Sequence, residues 1–132
     1  MTNPYHVAVW IDHKEAKIFS VGSDVHFKRV QNPSVDERVH HHAGSVGPGH
    51  QHEDAQYLRA VADALASAHE IVIFGPAQAK HELVEWINRH APSIGDKVIG
   101  VETLDRATDG ELVAFAKQYF RAKDRLTPQL PS

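Results

Sequence analysis

Histidine is concentrated in one short stretch of this chain. Eleven of the 132 residues are histidine, and five of them lie between residues 40 and 52: His40, His41, His42, His50 and His52. Neutral imidazole is a common ligand of zinc and nickel, so these side chains could converge on a metal ion. Their spacing matches no established zinc pattern. Two interpretations stay open, a metal site and a solvated histidine loop, and nothing else in the sequence requires a cofactor.

Carboxylates at the ends of predicted strands offer a second kind of chemistry. Asp12 ends the first strand, and Glu102 and Asp105 lie beyond the last one. Two-metal nucleases use carboxylates to bind divalent ions that align a water against a phosphate. The fourth strand ends in Phe74 and Gly75 without a carboxylate, so the set is incomplete. Asp12 also fits the simpler role of a turn former.

A strand-to-helix turn supplies a third candidate site, a crevice that could take a phosphate or another ligand. Its residues are Gly75, Pro76, Gln78 and Lys80, with Asp12 at the neighbouring strand end. Amides at a helix start can hold a phosphate, with the lysine as a point charge. The turn lies where we expect the strand order to reverse, the usual ligand crevice of open α/β sheets. The alternative is an ordinary turn with an exposed lysine.

The apolar spacing predicts the strands and loops that position these residues. A continuous apolar run over 7–11 and alternating runs over 16–21 and 25–30 predict a meander of three antiparallel strands. Short apolar runs over 70–74 and 97–101 predict two further strands. After the third strand of the meander, the segment 31–52 has glycine and proline but no apolar periodicity, which predicts a long, mobile loop.

Three amphipathic helices are predicted around the last two strands. The first covers 53–68, and the second has Pro76 near its first position and ends at Pro92. The third begins at a capping box formed by Thr108 and Glu111. The inward positions are Tyr57, Leu58, Val61, Leu65 and Ala68 in the first helix, Leu83, Val84, Ile87 and Ala91 in the second, and Leu112, Val113, Ala116, Tyr119 and Phe120 in the third.

These elements predict one α/β domain over 1–126, followed by a frayed tail over 127–132. Right-handed crossovers favour a fourth strand beside the first. The expected fold is a ribonuclease H-like three-layer domain, with a mixed five-stranded sheet of order 3-2-1-4-5 and three helices. No segment has the ~20 apolar residues of a membrane span. We expect a cytoplasmic protein, because no secretory signal and no cysteine are present. The net charge of -3 restricts any RNA contact to a local surface.

Three segments resemble the middle domain of the eukaryotic and archaeal release factors and of Pelota. They are the strand and Gly-Pro turn over 71–80, the hairpin over 8–19 and the last strand over 98–104. The resemblance spans roughly residues 7–120. It extends to stand-alone bacterial relatives, the translational machinery and host-attachment proteins.

In the release factors, the loop before the first helix carries Gly-Gly-Gln, whose glutamine helps to place water on the peptidyl-tRNA ester. The matching loop here reads Gly44-Ser-Val-Gly-Pro-Gly-His-Gln-His52, in which Pro48 fixes backbone that glycine would leave free. The resemblance therefore implies a non-enzymatic factor associated with the ribosome, tRNA or rRNA, as in Pelota-type proteins. The implied contact residues are Gly44, Gly47, Gly49, His50, Gln51 and His52.

Two other functions stay open. The first is a histidine-loop module that binds zinc, nickel or a protein partner. The second is an enzyme, either a peptidyl-tRNA hydrolase or a metal-dependent nuclease.

Overall fold

The computed structural model describes residues 6–22, 25–33 and 48–126, with the side chains of 54–123 in the last range. Three strands come first: β1 (His6–Ile11), β2 (Glu15–Val21) and β3 (Phe27–Gln31). The elements that follow are α1 (Pro48–Ala64), β4 (Glu70–Gly75), α2 (Ala79–His90), α3 (Pro92–Gly95), β5 (Val98–Thr103) and α4 (Asp109–Leu126).

The five strands form one mixed sheet in the order β3-β2-β1-β4-β5, which confirms the predicted order. The meander pairs antiparallel, with Val9 opposite Ile18 and Ile18 opposite Lys28. β1 and β4 pair in parallel, with Val7 opposite Ile71, and β4 and β5 pair in the same way. The carboxyl ends of β1, β4 and β5 therefore meet at one edge of the sheet, which we call the carboxyl edge.

Helices cover both faces of the sheet, because the side chains of β1 alternate between two apolar clusters. Val9 and Ile11 belong to the cluster that includes Val61 of α1 and Leu83 of α2. Ala8 and Trp10 belong to the opposite cluster, which includes Leu112, Ala116 and Phe120 of α4. The result is the predicted three-layer α/β arrangement.

The helix boundaries differ from the predicted ones. The first helix begins at Pro48, so residues 48–52 are helical and not part of the predicted loop. Proline fits the first position of a helix, where its missing N–H costs no hydrogen bond, but no apolar residue there signals the helix. The second helix begins at Ala79 instead of Pro76, and Pro92 starts the four-residue α3.

The third helix begins as its capping box predicts. The Thr108 hydroxyl accepts a hydrogen bond from the Glu111 amide at 3.2 Å, and the Thr108 amide donates to Glu111 Oε1 at 2.9 Å. The Glu111 carboxylate accepts hydrogen bonds from the Thr108 amide and from the Thr108 hydroxyl, the second at 3.1 Å, and both lower the pKa of this carboxyl. Most of the predicted 31–52 loop and the whole 127–132 tail lie outside the described residues. Among the described helices, none combines the length and apolar character needed to cross a bilayer.

Candidate functional site at the carboxyl edge

Asp12 shapes the turn that follows β1. Its Oδ1 accepts hydrogen bonds from the amides of Lys14 and Glu15, at 2.8 and 2.9 Å. An aspartate that bonds amides two and three residues ahead forms a side-chain-closed turn. The interpretation of Asp12 as a turn former is therefore confirmed.

Arg106 joins this turn to the connection between β5 and α4. Its guanidinium donates to Glu15 Oε2 and to Asp12 Oδ2, each at 2.8 Å. The same group lies 4.9 Å from the centre of the Trp10 ring, within the range of a cation–π contact. The hydrogen bond to Glu15 is the largest cause that raises the pKa of Arg106, with Asp12 adding to it. One exposed arginine thus holds two carboxylates and covers an indole.

Further polar contacts pair other charges near this turn. Arg29 of β3 forms an ion pair with Glu15 Oε1 at 3.2 Å, and the ammonium of Lys17 donates to Asp109 Oδ1 at 2.8 Å. The Trp10 indole donates to the Leu104 carbonyl at 3.0 Å. Both carboxylates of the turn are therefore held by cations or amides, which suits a structural role better than general acid–base chemistry.

The described residues on either side of 34–47 meet beside the same turn. Asn32 donates to the His13 carbonyl at 2.9 Å and to Asp54 Oδ1 at 3.1 Å. The Tyr57 hydroxyl of α1 donates to the Asp12 carbonyl at 2.9 Å. Burial, followed by the negative charge of Asp12, raises the pKa of Tyr57. The chain therefore leaves and re-enters the described fold at the carboxyl edge.

The predicted phosphate crevice is tightly packed. A Cβ on Gly75 would overlap the carbonyl oxygen of Ile11, so glycine lets the ends of β1 and β4 approach closely. Lys80 is only 4% exposed, and its ammonium donates to the Ala77 carbonyl at 2.6 Å. Pro76 and Gln78 lie in the bend before α2. The alternative expectation of an exposed lysine is wrong, because Lys80 folds back over its own helix start.

The carboxylates of Glu102, in β5, and Asp105, just after β5, do not join Asp12 in a metal cluster. Glu102 accepts a hydrogen bond from the Tyr119 hydroxyl at 3.1 Å, and Asp105 is exposed. Burial, with the Glu102 carboxylate, raises the pKa of Tyr119 to about 12. Within the described part of the chain, no three His, Asp or Glu side chains are placed to hold a metal ion. The geometry of these residues therefore gives no support to a two-metal nuclease.

The predicted metal and contact residues of the 40–52 stretch fall largely outside the described residues. This applies to His40, His41, His42, Gly44 and Gly47. The backbone of Gly49, His50, Gln51 and His52 lies in the first turns of α1. The histidine metal site and the ribosome-contact residues therefore stay predictions.

Sequence reasoning missed an open groove of about 530 Å³ between the β5–α4 connection and α4. Its lining residues are Thr103, Leu104, Asp105, Arg106, Ala107, Glu111 and Phe115. Phe115 is 38% exposed and meets Phe74 edge to face at 5.0 Å. The groove exists because residues 104–108 turn back over the sheet before α4 begins, and no local pattern encodes that path.

Solved structures share this arrangement of strands and helices. Pelota from Archaeoglobus fulgidus matches 89% of the chain with a TM-score of 0.61 and 14% identity. The archaeal translation termination factor aRF1 matches 94% of the chain with a TM-score of 0.56 and 14% identity. Dom34 from S. cerevisiae is a translation termination-like factor involved in RNA quality control pathways. It matches 87% of the chain with a TM-score of 0.54 and 12% identity. The chain has the fold found in these proteins.

The likeness covers only part of each of those proteins. The matched region is 32% of Pelota, 39% of aRF1 and 35% of Dom34, so the chain corresponds to about a third of each. No protein-family model and no curated protein matches the sequence. The shared property is therefore the fold, and function needs a separate argument.

Proposed function

We propose that this chain is a non-enzymatic translation factor that associates with the ribosome or its RNA. The likeness to Pelota, aRF1 and Dom34 over 87–94% of the chain is the observation that carries the proposal. Of these, aRF1 is described as a translation termination factor and Dom34 as a translation termination-like factor. We propose that the chain acts in the cytoplasm. We also propose that it is related to the middle domain of these factors and to stand-alone bacterial relatives of that domain.

The contact surface that we propose is the 40–52 segment, directed toward a tRNA end or ribosomal RNA. Its support is the hydrogen bonding of Asn32 to Asp54 and of Tyr57 to Asp12, which ties both flanks of the segment to the carboxyl edge. Release factors carry their Gly-Gly-Gln loop before the corresponding helix. This segment has no Gly-Gly-Gln, and so we propose binding without peptidyl-tRNA hydrolysis.

The pairing of the carboxylates at the carboxyl edge supports a non-enzymatic role. A general base needs an ionisable group that can take a proton from a substrate. Asp12 is held by two amides and Arg106, and Glu15 is held by Arg106 and Arg29. These contacts occupy the carboxylate oxygens that a general base would need for a substrate proton.

Sedimentation with ribosomes tests the proposal. We expect the native chain to pellet with ribosomes at low salt and at physiological salt. A matched variant, in which 40–52 is replaced by a glycine-serine segment of equal length, should pellet less, because the proposed contacts are gone while Asn32 and Asp54 remain. A native chain that stays in the supernatant at both salt concentrations would contradict the proposal.

A histidine-loop module that binds zinc, nickel or a protein partner is the second candidate, favoured by the five histidines between 40 and 52. Replacing His40, His41 and His42 by alanine separates the two candidates. Zinc affinity that is lost while ribosome pelleting is unchanged would favour the metal-binding module. Pelleting that is lost together with these histidines would instead assign them to the ribosome contact.

A further inference from the structure

After the acidic first turn with Asp109 and Glu111, α4 concentrates positive charge on a chain that is acidic overall. Residues 112–126 contain four basic side chains and one acidic side chain, whereas the whole chain has a net charge of -3. The described basic residues of this stretch are Lys117, Arg121 and Lys123. A local basic surface is the electrostatic feature that an anionic partner would recognise.

Two of these cations form a row on the solvent side of the helix. Lys117 and Arg121 are exposed and four residues apart, so they are neighbours on one face, with Cβ atoms about 5–6 Å apart. The apolar residues Leu112, Ala116 and Phe120 occupy the opposite face and are buried against the sheet. The row therefore faces solvent directly.

Within the described part of the chain, no carboxylate neutralises these cations. Among the described side chains, Lys117, Arg121 and Lys123 take part in no ion pair, in contrast to Arg106, Arg29 and Lys17 at the carboxyl edge. The Lys123 ammonium lies 5.6 Å from the centre of the Tyr119 ring, a contact that leaves its charge intact.

The surroundings of the helix narrow the class of partner. An anionic bilayer binds a helix by taking up its apolar face, and in α4 that face is already buried in the core. The groove beside the start of α4 is lined by Asp105, Glu111 and Arg106, and the charge of Arg106 is already paired with Asp12 and Glu15. The groove therefore offers no unpaired cation to an anion, and a long polyanion would instead run along residues 117–123, where phosphates can follow successive cations.

We propose that the face of α4 carrying Lys117 and Arg121, with Lys123 beside it, binds the phosphate backbone of RNA. This inference rests on the proposed function and names a second RNA-contacting surface, separate from the 40–52 segment. The contact is electrostatic and independent of base sequence, because phosphates carry no sequence information.

Fluorescence anisotropy with a labelled single-stranded RNA tests this surface. The double variant Lys117→Gln/Arg121→Gln removes two charges from exposed positions, so its far-UV circular dichroism should match that of the native chain. The logarithm of the affinity falls as the logarithm of the salt concentration rises, and each phosphate contact on a single strand makes this slope steeper by about 0.7. Removing two contacts should make the slope shallower by about 1.4. It should also lower the affinity at 0.1 M salt on the order of 20-fold.

The matched control is Lys28→Gln/Arg89→Gln, which removes the same charge from exposed positions on β3 and α2. It should change the affinity by less than about 3-fold, the effect of net charge alone. Unchanged affinity in the α4 variant, an equal loss in the control, or binding of the native chain to anionic phosphatidylserine vesicles but not to RNA would each overturn the inference.

Ribosome pelleting of the same variants keeps the two proposals apart. A native chain that binds RNA through α4 but never pellets with ribosomes would refute the ribosome proposal and support this surface. The native chain and the Lys117→Gln/Arg121→Gln variant could instead pellet equally well and bind RNA with equal affinity. That result would refute this surface and leave the ribosome proposal standing.

Discussion

Arg106 organises the carboxyl edge although it lies far along the chain from its partners. It is 94 residues from Asp12 and 91 from Glu15, and it contacts both carboxylates and the Trp10 ring. The exposed position keeps the energy of each ion pair small. The effect of Arg106 is geometric, because its contacts hold the connection between β5 and α4 against the β1–β2 turn.

Tyr119 gives a prediction for alkaline pH. Its pKa is raised from 10.0 to about 12 in the folded chain, chiefly by burial and then by Glu102. The unfolded chain therefore loses the phenolic proton first, and ionisation favours unfolding. We expect the free energy of unfolding to be unaffected by this group below pH 10 and to fall as the pH rises from 10 to 12.

Urea unfolding measured from about pH 8 to about pH 12 checks this expectation. The variant Tyr119→Phe has no proton to lose at this position, so its stability should fall less steeply in that interval. It should keep part of the loss, because burial also raises the pKa of Tyr57. Identical pH profiles for the native chain and the variant would show that Tyr119 does not titrate as described.

At the scale of single elements, the approach of β4 to β1 depends on one glycine. The carbonyl of Ile11 occupies the space where a Gly75 side chain would lie, and β1 is fixed by pairing with β2 on one side and β4 on the other. At the strand end where the sequence predicts a ligand crevice, the backbones of β1 and β4 are therefore in close packing contact.

We expect Gly75→Ala to lower the free energy of unfolding by about 1–3 kcal/mol, the usual cost of forcing an extra carbon into a packed site. Gly110→Ala is the matched control, because a Cβ there has no neighbour within 4 Å and α4 already includes this position. Alanine is the better helix former by about 1 kcal/mol, so the control should be neutral or stabilising. Urea midpoints give both values, and equal midpoints for the two variants would contradict the packing argument.

At the scale of the whole molecule, one sheet supports two apolar clusters. Alternate residues of β1 serve the α1–α2 side and the α4 side, so neither cluster can form without the shared strands. The fold should therefore unfold as a single cooperative unit. This arrangement also leaves the outer faces of all three long helices available for partners.

The variants Leu83→Ala and Leu112→Ala test this cooperativity from opposite faces. Both side chains are buried, and removing either should cost about 2–5 kcal/mol. In a Trp86→Phe background, which leaves Trp10 as the single tryptophan, far-UV circular dichroism and the fluorescence of buried Trp10 should show the same midpoint in each variant. Exposed Gln118→Ala should stay within about 0.5 kcal/mol of the native chain. Separate midpoints for the two probes would show that the faces unfold independently.

The periodic apolar pattern predicted the strands and the inner faces of the helices, and the handedness of parallel crossovers predicted the strand order. Val9, Leu83 and Leu112 are buried as their spacing predicts, and Thr108 and Glu111 cap α4 because their contacts lie within four residues. These features follow from local geometry, which repeats every two residues in a strand and every 3.6 in a helix. The sequence by itself therefore established the α/β architecture.

Only the tertiary structure decided which polar residues meet. The partners of Arg106, the burial of Lys80 and the groove beside Phe115 depend on chain segments that are distant in sequence, or on the path of an irregular connection. The start of α1 at Pro48 also escaped prediction, because the residues after it carry no apolar stripe. Such contacts are set by the docking of whole elements, and local spacing carries no information about them.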